Sequence, residues 1–249
     1  MTDTPAPKKR RSAKAATPVS RLASQIRKAR RWLLRGLLAV VVLFLLWVLL
    51  LRVVDVPRGT YMRQEAARLG DIQYEWTDWE AIAPVMARSV VAAEDANYCL
   101  HWGFDMAAIR QALDAGGRRG ASTISQQVVK NVFLWHGRDW LRKALEAGLT
   151  PVVEMLWSKE RILEVYLNVA EFDEGVFGIG AAARHYFKTT PDKLTPTQAA
   201  RLAMVLPNPK SYNASRPSDF QRRRSARILD GAQTIAADGR AACFERASG

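Results

Sequence analysis

Apolar and polar positions are unevenly divided along this chain. Residues 36–51 are sixteen apolar or small positions without a charge, and Trp32, Leu33 and Leu34 extend the run to twenty when Arg35 snorkels toward the headgroups. That length spans a bilayer. Beyond it the pattern turns helical. Thr77 with Glu80, Thr123 with Gln126, Thr195 with Gln198 and Ser218 with Gln221 each pair a hydroxyl with Glu or Gln three residues on. This is the capping-box spacing, in which two side chains satisfy orphan amides reciprocally. Pro196 adds a proline at a first helical position. The apolar sets Ile82, Val85, Met86, Val90, Ala93 and Ile162, Val165, Tyr166, Val169 recur with helical spacing. Strand signals are scarce, so the fold is expected to be mainly α.

Charge separates the same two regions. The formal net charge is +13, but residues 1–35 carry eleven bases and one acid, whereas residues 53–249 carry 25 bases and 23 acids. A nucleic-acid partner is therefore not expected, because the folded part is not basic. With 49% apolar residues and two cysteines in 249 positions, the chain is no disordered tail, collagen or disulfide-dense toxin. A cleaved signal peptide is the alternative to an anchor. Its charged head is usually short, however, and Leu49, Leu50, Leu51 and Arg52 offer no small-residue cleavage site. The basic flank holds the N-terminus in the cytoplasm and sends everything after Arg52 across the membrane. The expected organisation is a basic cytoplasmic tail at 1–31, a transmembrane anchor at 32–52, a linker at 53–73, one folded domain at 74–230 and a C-terminal extension at 231–249.

Four polar clusters interrupt the helical pattern. In the first, Glu94 and Asp95 end a helix whose apolar stripe stops at Ala93, and Asn97, Cys99, His101, Gly103 and Asp105 follow. Glu94 flanks the stripe, so partial burial should raise its pKa and suit it to proton transfer; a helix closing on solvated acids is the alternative. His101 reads as a structural hydrogen-bonder, since no second His or Cys stands at metal-ligand spacing. The second cluster, Ser122, Thr123, Ser125, Gln126, Gln127 and Lys130, opens a helix after a glycine-rich loop. Its free amides could meet sugar hydroxyls or phosphate. The nucleotide-binding phosphate loop is excluded because the Gly-Lys-Ser/Thr ending is missing. In the third, Arg138 precedes Arg142, Lys143 and Glu146, spaced for i,i+4 and i,i+3 pairs that are commonly exposed and weak. The fourth, Lys159, Glu160, Arg161, Glu164, Tyr166 and Asn168, reads mainly as a core helix.

These clusters, in this order behind an anchor, resemble the peptidoglycan glycosyltransferases of glycosyltransferase family 51, in the form that stands alone without a transpeptidase. The resemblance runs from Tyr74 to Leu229 and includes Gly178, Gly180, Arg184, His185 and Tyr186, and later Ala199, Arg201, Leu202, Leu206 and Pro207. It implies a lysozyme-like, two-lobed α-helical domain with a smaller membrane-facing jaw. It implies an enzyme of cell wall biogenesis that polymerises lipid II and releases undecaprenyl pyrophosphate, at the bacterial inner membrane with its catalytic domain periplasmic. Glu94 matches the general base and Glu146 the second carboxylate. Lys130, Arg138, Arg142 and Lys143 match the bases that neutralise the pyrophosphate, and Ser122, Gln126 and Gln127 line the donor subsite. The implied partners are lipid II, the nascent glycan chain, the membrane and other cell-wall synthesis and division proteins. No protein-held metal site is expected, although the second carboxylate could act through a divalent cation such as Mg or through neighbouring bases. Two departures stand out. The run 105–120 looks short, so a mobile flap is expected to be trimmed, and Lys188-Thr189 stands where Gly-Lys usually follows Tyr-Phe.

Two other readings keep the fold. A membrane-anchored lysozyme-like hydrolase also needs a carboxylic acid in a sugar cleft, but its neutral leaving group has no use for the basic cluster. A non-catalytic glycan-binding scaffold needs neither carboxylate. Cys99 and Cys243 both fall on the oxidising side of the expected topology, so they are either a disulfide or two separate thiols.

Overall fold

The structure is a computed structural model that describes residues 18–116, 120–137 and 139–245, with side chains described from residue 25. It divides into two units, Met1–Trp47 and Val48–Gly249.

The described residues of the first unit are all helix. α1 (Pro18–Leu50) carries the apolar run, and its stretch Gln25–Leu50 is long and apolar enough to cross a membrane. At 1.5 Å per residue those 26 residues extend about 39 Å, more than a hydrocarbon core requires. The helix starts well before the expected anchor at residue 32. Arg, Lys, Ala and Leu in the tail are all good helix formers, so nothing stops propagation back to Pro18.

The second unit opens with residues 48–56 seated on the domain. Trp157 Nε1 donates to Val48 O at 2.8 Å, and Arg161 donates to Leu51 O through Nε at 3.2 Å and Nη2 at 3.0 Å. These side chains satisfy carbonyls left open at a helix end. The expected linker 53–73 contains α2 (Thr60–Leu69), which buries Tyr61, Met62 and Glu65. It is part of the packed domain because its two large apolar side chains fall together on one face.

The remaining elements are β1 (Gln73–Tyr74), α3 (Pro84–Glu94), α4 (Met106–Asp114), α5 (Ile124–Phe133), α6 (Trp140–Leu156), α7 (Lys159–Val169), β2 (Glu171–Asp173), β3 (Val176–Phe177), α8 (Ile179–Phe187), α9 (Pro196–Val205) and α10 (Asp219–Ala237). The fold is mainly α, with one small sheet ordered β1-β3-β2, parallel between β1 and β3 and antiparallel between β2 and β3. α3, α9 and α10 pack on one another, and α5 packs on α6, α7 and α2. Val90, Tyr166, Leu167, Phe172, Phe177, Ala203 and Met204 are fully buried between these groups.

Three of the four expected capping boxes form, at Thr123, Thr195 and Ser218, with Pro196 at the start of α9. The fourth does not. Thr77 precedes a 3-10 turn, Trp79–Ala81, and the helix begins only at Pro84. The partners of this segment come from α7 instead. Asn168 Oδ1 accepts from Thr77 N, Asn168 Nδ2 donates to Thr77 O, and Glu164 Oε1 accepts from Trp79 N. Tertiary bonds to the backbone remove the need for a local cap. The α3 stripe shifts with it: Ile82 lies ahead of the helix, and Met86, Ala87, Ser89, Val90 and Val91 are the buried set. The α7 stripe Ile162, Val165, Tyr166, Val169 is buried throughout. In the run 105–120, α4 fills Met106–Asp114, and residues 117–119 lie outside the described residues.

Cys99 and Cys243 are joined, with Cα atoms 5.6 Å apart. The bridge holds the end of the chain against the loop after α3, where Phe244 lies beside Tyr98 and Arg240 Nη1 donates to Ala96 O at 3.2 Å. At Lys188 the turn after α8 adopts φ 53°, a left-handed cap in which a non-glycine residue is uncommon.

Candidate active site

α3 ends on Glu94 because Asp95 leaves helical geometry there, its amide still bonded to Val91 O at 2.9 Å. Asp95 then links three pieces of chain. Its Oδ1 meets His101 Nε2 at 2.8 Å, and its Oδ2 accepts from Ile124 N, the first residue of α5, at 3.0 Å. Thr123 Oγ1 donates to Gly103 O at 2.7 Å and fixes the same junction from the other side. The entry of α5 is thereby held against the end of α3. Sequence reasoning missed Asp95 in this role, and its position beside Glu94 was the available signal.

Glu94 is partly buried, and burial pushes its pKa above the ordinary carboxylate range. Gln127 opposes that shift by donating Nε2 to Glu94 Oε2 at 3.0 Å, and Gln127 Oε1 accepts from Tyr166 OH at 3.4 Å. Lys130, one turn further along α5, has its pKa lowered by burial and is acted on by both Glu146 and Glu94.

Glu146 sits in the middle of α6 and is 2% exposed. Arg142 Nη1 reaches its Oε2 at 2.6 Å, and Lys143 Nζ bonds to its Oε1. The i,i+4 pair is buried rather than solvated. Arg142 Nε also donates to Gly137 O at 2.9 Å, and Lys143 Nζ donates to Ser122 Oγ at 3.3 Å, which ties the loop before α5 to α6. Arg138 lies outside the described residues. Gln126 is buried, and its Oε1 is used by the cap of α5; it is not among the described residues lining the neighbouring cavity.

That cavity, about 390 Å³, is lined by Gln127, Lys130 and Asn131 of α5, Tyr166 of α7, Leu206 and Pro207 from the later stretch of the resemblance, and groups the sequence reading did not single out: Tyr61, His136, Glu171 and the segment from Asn208 to Lys210. Glu171 accepts from Tyr61 OH at 2.6 Å and from Gly175 N at 3.1 Å, and burial raises its pKa. The Tyr61 ring stacks on His136 with centroids 4.2 Å apart. An acid close to the end of a helix, as at Glu94, was the signal that could have found Glu171. Tyr61 had none, because it stands in what reads as linker.

Neither Glu94 nor Glu146 is among the residues lining this cavity, although Gln127, which bonds Glu94, is. A carboxylate of raised proton affinity, together with a second one bonded to two cationic side chains, suits glycosyl transfer from an anionic leaving group. A family model described as Transglycosylase matches residues 62–233. The chain belongs to the transglycosylase family, and its enzyme class is glycosyltransferase. It is similar to the biosynthetic peptidoglycan transglycosylase of Jannaschia sp. (strain CCS1), 57% identical over 235 residues, which cover 94% of this chain and 98% of the relative. It is also similar to the proteins of that description from Xanthomonas campestris pv. campestris (strain B100), 47% identical over 86% of this chain and 91% of the relative, and from Escherichia coli O127:H6, 51% identical over 80% and 88%.

Proposed function

We propose that this chain polymerises lipid II into glycan strands and releases undecaprenyl pyrophosphate, acting from the periplasmic face of the inner membrane with its N-terminus in the cytoplasm. Glu94 takes the proton from the 4-hydroxyl of one disaccharide. The freed oxygen forms a bond to the anomeric carbon of the growing chain, and the bond from that carbon to the pyrophosphate oxygen breaks, its electron pair leaving with the pyrophosphate. Lys130, Arg138, Arg142 and Lys143 neutralise the departing charge. Glu146 orients Arg142 and Lys143 for that task, and Ser122 and Gln127 face the donor.

The observation that carries this reading is the pair of carboxylates: Glu94, whose proton affinity burial raises, accepts from Gln127 of α5 at 3.0 Å, and buried Glu146 of α6 is bonded to both Arg142 and Lys143. The donor set around Glu146 does not fit a divalent cation. Both its oxygens are bonded to cationic side chains, and Lys130 adds a third positive charge. The reaction is therefore written without a metal.

The test is to incubate the detergent-solubilised protein with lipid II and separate the products by size. Polymer longer than one disaccharide is expected. Consumption of lipid II without polymer, or cleavage of purified cell wall with no lipid-linked substrate present, overturns the proposal.

A further inference from the structure

Two hydrogen bonds form a chain that ends on Glu94. Tyr166 of α7 donates its hydroxyl to Gln127 Oε1 at 3.4 Å, and Gln127 of α5 donates Nε2 to Glu94 Oε2 at 3.0 Å. α5 packs on α7, and Tyr166, 1% exposed, belongs to the buried stripe of α7. Its ring is therefore fixed by close packing rather than by the hydroxyl. Gln127 also lines the cavity of about 390 Å³, so one amide touches both the cavity and the carboxylate.

An amide can meet a carboxyl group in two ways. With Nε2 forward it donates and favours the ionised acid; turned over, it presents Oε1, which repels a carboxylate and suits only the protonated form. Tyr166 supplies the choice. Among the described residues Gln127 Oε1 is the acceptor of its O–H, and turning the amide over would leave that buried donor without one. The O–H is kept, because burial, and after it the Glu94 and Asp95 carboxylates, hold the Tyr166 pKa well above its ordinary value.

We infer that Tyr166 is a positioning residue: its hydroxyl holds the Gln127 amide with Nε2 toward Glu94, so the base meets a fixed donor and is ionised when the attacking hydroxyl arrives. This inference rests on Glu94 being the general base. The charged groups that act on Glu94 are Arg224 from α10, Asp95 beside it and Lys130 from α5. Arg201, the charged residue of α9, lines a separate cavity with Arg222 and Ser225. None of these is altered by a change at Tyr166 or Gln127.

The experiment compares the pH profile of kcat/KM for lipid II polymerisation in the full chain, in Tyr166→Phe, in Gln127→Met and in the double variant. Tyr166→Phe keeps the ring and loses the hydroxyl. Losing the fixed donor raises the proton affinity of Glu94, so the acid limb should move upward by about half a pH unit, the size to which a neutral hydrogen bond converts. Gln127→Met loses the charge-assisted bond outright and should move the limb by about one unit. The double variant should match Gln127→Met, because the hydroxyl then has no amide to hold. An unmoved limb in Tyr166→Phe overturns the assignment. Shifts that add in the double variant overturn it too, since Tyr166 would then act on Glu94 by another route, and so does loss of fold in Tyr166→Phe, which would make the hydroxyl a structural group. Activity retained in Glu94→Gln removes the general base and this role with it; an inactive Glu94→Gln with an unmoved Tyr166→Phe limb sinks only the role of Tyr166.

Discussion

Gln127 Nε2 lies 3.0 Å from Glu94 Oε2, a bond between residues 33 apart in sequence that joins the end of α3 to the second turn of α5. It leaves the other oxygen of Glu94 for an incoming hydroxyl. Glu94→Gln should therefore reduce polymerisation by about 10²–10⁴-fold while helical content is unchanged, because the amide keeps the shape and cannot accept the proton. Retention of a tenth or more of the rate, read from the appearance of polymer, removes Glu94 from its role.

The same substitution should act on stability in the opposite direction. Burial raises the Glu94 pKa in the folded chain above its unfolded value. That preference for the proton is fully present below the unfolded pKa and is lost as pH rises through the folded one, so ionised Glu94 weighs against the fold at higher pH. Glu94→Gln should match the parent in Tm near pH 4 and exceed it at pH 8. Thermal melts at both values decide this, and a lower Tm at pH 8 would count against the buried charge.

Arg142 and Lys143 both bond to Glu146, yet their side chains are 10% and 47% exposed. Removing the buried partner leaves a buried carboxylate undercompensated, so Arg142→Ala should cost about 3 kcal/mol, whereas Lys143→Ala should cost less than about 1 kcal/mol. Denaturant titration of the two variants in detergent measures the difference. Equal losses would mean that water already reaches Glu146.

Lys130→Ala and Arg138→Ala should weaken binding of a non-reactive pyrophosphate-bearing lipid analogue, each by about tenfold or more, since on the proposed reading each substitution removes a charge-assisted contact to the pyrophosphate. Glu146→Gln should instead slow turnover with affinity little changed. Titration of the analogue against all three is the check, and unchanged affinity in both basic variants refutes the assignment.

Lys188 is the one non-glycine residue with positive φ among the described residues. Lys188→Gly should relieve the left-handed strain and raise stability by about 0.5–1 kcal/mol, with activity unaltered. A lower Tm would show that the lysine side chain contributes more than the strain costs.

The Cys99–Cys243 bridge closes a loop of 144 residues. Replacing either cysteine by serine should cost about 2–5 kcal/mol, largely through the freedom returned to the unfolded chain. Denatured, unreduced protein from the native compartment should take up no thiol label until a reductant is added. Two free thiols per chain would reject the bridge.

The long apolar helix, the mainly helical fold and three of the four capping boxes could be read along the chain because each depends on residues within a few positions of one another. A hydroxyl and a Gln three residues on meet whatever lies elsewhere, and the same holds for an apolar run of bilayer length. The end of a helix at Glu94 was legible for that reason too. Thr77 failed as a cap because its amide found Asn168, 91 residues away, a competitor no local pattern reveals. Glu146, Arg142 and Lys143 were adjacent on paper, but only the packing of α5 on α6 turned an ordinary surface ion pair into a buried one. Tyr61 and Glu171 acquire their surroundings from each other, 110 residues apart in sequence. Burial and electrostatic potential are sums over all neighbours in space, so they exist only once the helices have met.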